Sequence, residues 1–120
     1  MPQVSKNPVQ AKTKDKMFET FYQILAGLKN SNEVKEFLTD LLTPTEQVML
    51  AKRLSIAILL TYECDYRTIS EILKVSYATI GNVAKWLKLA GRGYREALRA
   101  FIKEHKPSVL IDLVPPPRLQ

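Results

Sequence analysis

The sequence predicts an all-α protein, and three observations carry that prediction. Apolar residues recur at helical spacing through most of the chain. No run of alternating hydrophobicity precedes the final segment. The stretch from Thr45 to Lys106 holds no proline, because the 7 prolines sit at Pro2, Pro8, Pro44, Pro107 and Pro115–Pro117. Proline removes a helical hydrogen bond and clashes with the preceding turn, so its confinement to the ends and to one helix start favours uninterrupted helices between. A chain of 120 residues, 46% of them apolar, is long enough to fill one core.

Residues 1–13 are polar, proline-containing and basic, and are expected to form a mobile arm, solvated or touching phosphates. The helical domain is expected over 14–106. Its first helix runs from Lys14 to Leu28, with Phe18, Phe21, Tyr22, Leu25 and Leu28 on one face. Asn30 and Glu33 resemble a capping box opening a second helix, which carries Val34, Phe37, Leu38, Leu41 and Leu42.

Thr43-Pro44-Thr45-Glu46 is the strongest start signal in the chain. It offers a threonine cap, a proline whose missing N–H costs nothing in the first turn, and a glutamate that can reach back to the cap. The third helix should therefore begin at Pro44 and run to about Tyr62. Between Leu54 and Leu60 it reads LSIAILL, apolar on nearly every side, so it must be buried all round. In a chain this small, helices from a second copy are one way to bury it.

Residues Tyr66–Lys88, YRTISEILKVSYATIGNVAKWLK, read as two short helices joined by a tight turn. Asp65 can cap the first, whose apolar face is Ile69, Ile72 and Leu73, and Val75 lies in the connection. Ser76 caps the second, with Thr79 three residues on. A rotation of about 100° per residue places Ile80, Val83, Ala84 and Leu87 on a packing side, and Tyr77, Ala78, Gly81, Asn82, Lys85 and Lys88 on an open side. This is the pattern of a helix-turn-helix, in which the second helix enters the DNA major groove. Asn82 can pair with adenine, Ala78 can meet a thymine methyl, and Gly81 permits close approach. Lys85 and Lys88 suit phosphates. Lys74 stands where the turn usually has glycine, so a left-handed backbone there is strained, and a different turn geometry would tilt the reading helix. The plainer alternative is a helical hairpin with a solvated basic face.

Gly91-Arg92-Gly93 should end the second helix by supplying backbone freedom at a C′ position. A last helix is expected over Tyr94–His105, with Leu98, Phe101 and Ile102 inward. Residues 107–120 should be an extended, proline-containing tail, within which Ser108–Val114 is apolar and of no assigned role.

The net charge is +6, and residues 74–99 hold Lys74, Lys85, Lys88, Arg92, Arg95 and Arg99 against Glu96 alone. Such clustering fits a polyanionic partner. Cys64 is the only cysteine and His105 the only histidine, which provides neither a disulfide nor a metal or catalytic cluster. No enzyme activity, metal or cofactor is expected. Met1–Lys16 lacks the apolar core of a secretory signal, and Ile56–Leu60 is too short to span a bilayer, so a cytoplasmic location is expected.

Taken together, Leu41-Leu42-Thr43-Pro44-Thr45-Glu46, Arg53 in the long helix and Val75-Ser76-Tyr77-Ala78-Thr79-Ile80 resemble the Trp repressor superfamily over about Met17 to Ile102, and in particular its YerC/YecD-type branch. The resemblance implies a six-helix fold, an intertwined homodimer and binding to double-stranded DNA. It implies DNA contact by Arg67, Tyr77, Ala78, Thr79 and Lys88; Ser76 joins them as the cap of the reading helix, and Asn82, Lys85 and Arg92 from the charge and groove arguments above. Thr43 and Arg53 match two residues of the family's effector pocket, but Asn82 stands where an arginine is expected, Val83 where a glycine is, and Trp86 where a small serine is. Val83 removes space for an indole and Asn82 removes a cation. The expected function is therefore a sequence-specific transcriptional regulator, with repression as its mode and no dependence on free tryptophan. Trp86 is expected either to fill the pocket itself or to serve as a core or dimer-interface aromatic. Two alternatives stand beside this: a regulator responsive to another small carboxylate at Thr43 and Arg53, and a helical protein-interaction module.

Overall fold

The computed structural model describes residues 9–104, without the side chains of Ala90 and Glu104. The expected tail, with Ser108–Val114, lies outside the described residues, as do His105 and most of the expected arm. Among the described residues there are six α-helices and no strand: α1 (Ala11–Ala26), α2 (Ser31–Leu41), α3 (Pro44–Thr61), α4 (Tyr66–Leu73), α5 (Tyr77–Ala90) and α6 (Arg92–Glu104). Helix α1 begins three residues earlier than its apolar spacing predicts, because Ala11, Lys12 and Thr13 carry no helix breaker. The backbone divides into two compact units, Met1–Val48 and Met49–Gln120.

In the first unit, α1 and α2 contain no buried residue. Local hydrogen bonds define the helix starts. The Glu33 N–H donates to Asn30 Oδ1 at 2.9 Å, and the Glu33 carboxylate accepts from the Lys29 N–H at 3.1 Å, one residue earlier than a capping box would place it. At α3 the box is complete: the Glu46 N–H donates to Thr43 Oγ1 at 3.1 Å and the Thr43 N–H to Glu46 Oε1 at 2.8 Å. Two orphan donors of the first turn are thereby satisfied.

Among the described residues of the second unit, the buried apolar side chains form one cluster. Ile56, Ala57, Ile58 and Leu59 of α3 meet Ile69 of α4, Ile80 and Val83 of α5, and Leu98 of α6. LSIAILL is thus buried through its middle, while Leu54 stays exposed. Phe101, expected inward, is 37% exposed. From α6, Leu98 is buried in the cluster and Tyr94 packs against it.

A left-handed Glu63 (φ 61°) ends α3, with Glu63 N–H donating to the Leu60 carbonyl and Cys64 N–H to the Leu59 carbonyl. This pair of bonds is a Schellman closure, and Cys64 packs on the core beside it. Burial, and then the Asp65 charge, push the Cys64 thiol above its usual range, which makes it a small apolar residue rather than a nucleophile.

Helix α5 does end at Gly91, but not through a left-handed conformation. Gly91 has φ −78°, and only that residue separates α5 from α6, with Gly93 inside the first turn of α6. The reason for glycine at 91 is steric: a Cβ there would collide with the Leu87 carbonyl.

Candidate nucleic-acid interface

Helices α4 and α5 form the expected helix-turn-helix. The Thr68 N–H donates to Asp65 Oδ1 at 2.7 Å to start α4, and the Thr79 N–H donates to Ser76 Oγ at 3.1 Å to start α5. The Ser76 and Thr79 hydroxyls are also 2.9 Å apart, so both belong to the cap. The turn geometry is unaltered at the strained position. Lys74 adopts the left-handed conformation itself (φ 55°, ψ 53°). Its N–H donates to the Ser70 carbonyl at 2.9 Å, the Ser70 hydroxyl donates to the Val75 carbonyl at 2.7 Å, and the Lys52 ammonium lies 3.5 Å from the Lys74 carbonyl. These bonds offset the cost of a left-handed Cβ, and the turn keeps the shape glycine would give it.

The open side of α5 is two surfaces rather than one. Tyr77, Gly81, Lys85 and Lys88 lie toward Tyr66 of α4, where a shallow depression of about 350 Å³ is lined by Tyr66, Gly81, Ala84, Lys85, Lys88 and Leu89. Ala84, expected on the packing side, is half-buried and contributes to its floor. Tyr77 is 53% exposed, and its ring meets that of Tyr66 edge-on, with centroids 6.0 Å apart. Ala78 is exposed between the two surfaces.

The second surface faces α3 and α6. Arg53, Thr79, Asn82, Val83, Trp86 and Tyr94 line a cavity of about 570 Å³. Four of the five residues expected at an effector pocket are therefore gathered there. Thr43 belongs to the first unit, where its hydroxyl caps α3. Trp86 walls the cavity without filling it and is 63% exposed; it points outward from α5 while Val83, one turn earlier, takes the buried position. Neither a filled pocket nor a core position describes it within this chain.

Arg67 and Arg92 sit on exposed ground, each in an i,i+4 ion pair, Arg67 with Glu71 at 3.3 Å and Arg92 with Glu96 at 3.2 Å. Exposed pairs of this kind are worth little, so both guanidinium groups can turn to another partner at small cost. Tyr66 and Tyr94 are the site residues that sequence reasoning missed. A signal for Tyr66 existed: it follows the cap Asp65 as Tyr77 follows the cap Ser76. Tyr94 carried none, since its place depends on how α6 packs.

A family model described as Trp repressor protein matches residues 16–102. The chain belongs to the Trp repressor family. That family consists of DNA-binding helix-turn-helix regulators rather than enzymes. No curated protein and no solved structure shows significant similarity to the chain. Among the described residues no helix is long and apolar enough to cross a membrane, and no group of three or more His, Cys, Asp or Glu side chains could hold a metal ion.

Proposed function

We propose that this member of the Trp repressor family is a homodimeric, sequence-specific repressor of transcription that binds double-stranded DNA without free tryptophan. The observation that carries the reading is the capped helix-turn-helix, whose α5 presents Tyr77, Ala78, Gly81 and Lys85 on an uncovered face. In this reading Arg67, Tyr77, Ala78 and Asn82 face bases, while Lys85, Lys88 and Arg92 neutralise phosphates. Ser76 and Thr79 hold the start of α5 and offer their remaining hydroxyl capacity to the backbone. Such division between positioning and base reading is general for groove-bound helices.

The homodimer is supported by apolar surface. Met17, Phe18, Phe21, Tyr22 and Ile24 of α1 are exposed, as are Val48, Met49, Leu50 and Leu54 of α3. Isolated chains rarely leave so many large apolar side chains of two helices in water, and an intertwined second copy would cover them. Residues 14–106 would then act as one helical domain only within the dimer, and the two reading helices would address half-sites about one DNA turn apart.

Selection from a random duplex pool, with and without tryptophan, tests the proposal. A palindrome recovered equally in both conditions supports it. Tight, salt-sensitive binding without a motif would make the protein a non-specific binder, and no binding would return the weight to a protein-interaction module.

The 570 Å³ cavity supports a second reading, an effector-responsive regulator. Arg53 can pair with a carboxylate, Asn82 can hydrogen-bond it, and Trp86 and Tyr94 offer aromatic walls. A thermal-shift series of small aromatic and aliphatic acids separates the readings, since only an effector site responds.

A further inference from the structure

Gly81 lies in the middle of α5, where glycine weakens a helix relative to alanine. Nothing inside the protein asks for it: a Cβ built there would meet no atom within 4 Å. Contrast Gly91, where the Leu87 carbonyl leaves no room. The bare backbone at Gly81 opens instead onto the depression beside Tyr66, which Ala84, Lys85, Lys88 and Leu89 also line. Small residues on the floor, an aromatic wall and two ammonium groups on one helical face make a shallow seat for an anion attached to an apolar body.

We propose that this depression seats one sugar–phosphate unit of the DNA backbone, with Tyr66 as its wall and as the residue that positions Tyr77. The deoxyribose rests over Gly81 and Ala84, and the phosphate lies between Lys85 and Lys88. The Tyr66 hydroxyl is a further donor to that phosphate. The Tyr66 ring, set at 79° to Tyr77, limits the directions in which the Tyr77 ring can turn toward the bases. This inference rests on the DNA-binding reading above and adds the site and two residues, Tyr66 and Gly81, that act in it.

Gly81→Ala is the deciding variant, because it removes no charge and should strengthen the helix. The expected result is a raised melting temperature together with an affinity for duplex lowered about tenfold, equally for preferred and scrambled sequences. The salt dependence should stay as in wild type, whereas Lys85→Ala should lower its slope by about one. Tyr66→Phe should keep the sequence preference with a small loss of affinity, and Tyr66→Ala should relax the preference at the base pair nearest Tyr77. If wild type binds duplex and Gly81→Ala binds as tightly, the seat is wrong. An unchanged preference in Tyr66→Ala refutes the positioning role. Wild type that binds no DNA would overturn the functional reading and this inference with it.

Discussion

The hydroxyl of Ser70 donates to the carbonyl of Val75 at 2.7 Å, spanning the turn of the helix-turn-helix and holding it closed over a left-handed lysine. A bond five residues long across a turn fixes the angle at which α5 leaves α4. Residue 74 retains its Cβ because this bond and the helix caps on both sides over-determine its conformation.

Relieving the strain at that residue should stabilise the protein. Lys74→Gly is expected to add about 0.5–1 kcal/mol, since a left-handed Cβ costs on the order of 1 kcal/mol and glycine's extra freedom in the unfolded chain returns part of it. Ser70→Ala should cost about 1 kcal/mol, leaving the half-buried Val75 carbonyl without its donor. Urea unfolding of the two variants checks both signs, and a destabilised Lys74→Gly would show that the lysine's own contacts matter more than the strain.

The helix starts at Thr43, Asp65 and Ser76 were legible because a cap is a local event, decided within four residues of chain. The partition of α5 was not. A helical wheel gives the angle of Asn82, Lys85 and Trp86 about one axis, but Arg53 and Tyr94 arrive from other helices, and only packing shows that Asn82 shares a cavity with them while Lys85 shares a depression with Tyr66. The same limit explains Phe101 and Trp86: apolar character marks a residue for burial without saying which surface, or which chain, supplies the cover.

Two of these caps give the fold a pH dependence. The Thr43 backbone N–H, followed by its hydroxyl, holds Glu46 below its ordinary 4.5, and the Thr68 hydroxyl and N–H hold Asp65 below its ordinary 3.8. A carboxylate whose folded value is depressed contributes stability that is complete above its unfolded value and is lost as pH falls through the folded one. The stability these two caps contribute should therefore hold from neutral pH down to about 5 and then fall. Asp65→Asn keeps a good cap while removing the titration, so its loss of stability below that point should be shallower than wild type's. Parallel acid-limb curves for the two proteins would refute the assignment to Asp65.

Free tryptophan should leave this protein unchanged. Val83, a buried branched side chain, stands in the cavity wall, and among the described residues Arg53 is the only cation lining the cavity. A ligand that binds only the folded state stabilises it by about 2.7 kcal/mol at one hundred times its dissociation constant, which is easily visible in a melt. At millimolar tryptophan we expect no shift in melting temperature and no change in duplex affinity. A shift abolished by Arg53→Ala would place tryptophan in the cavity after all.

A dimer should reveal itself through concentration. Each chain has a mass of 13.7 kDa, and sedimentation equilibrium is expected to return about twice that value. If the exposed faces of α1 and α3 are what the second copy covers, unfolding must be coupled to association, so the melting temperature will rise with protein concentration. Phe21→Ser and Leu54→Ser remove side chains that are exposed within one chain, so on a monomer each should be close to neutral. Buried between two copies, each should cost on the order of 1.5–3 kcal/mol per side chain and shift the mass toward 13.7 kDa at low concentration. Lys35→Ala, on the exposed face of α2, should do neither. Neutral behaviour of both apolar variants at a mass of one chain would sink the dimer, and with it the expected spacing of two half-sites. DNA binding by a single α5 would then predict a short, non-palindromic site.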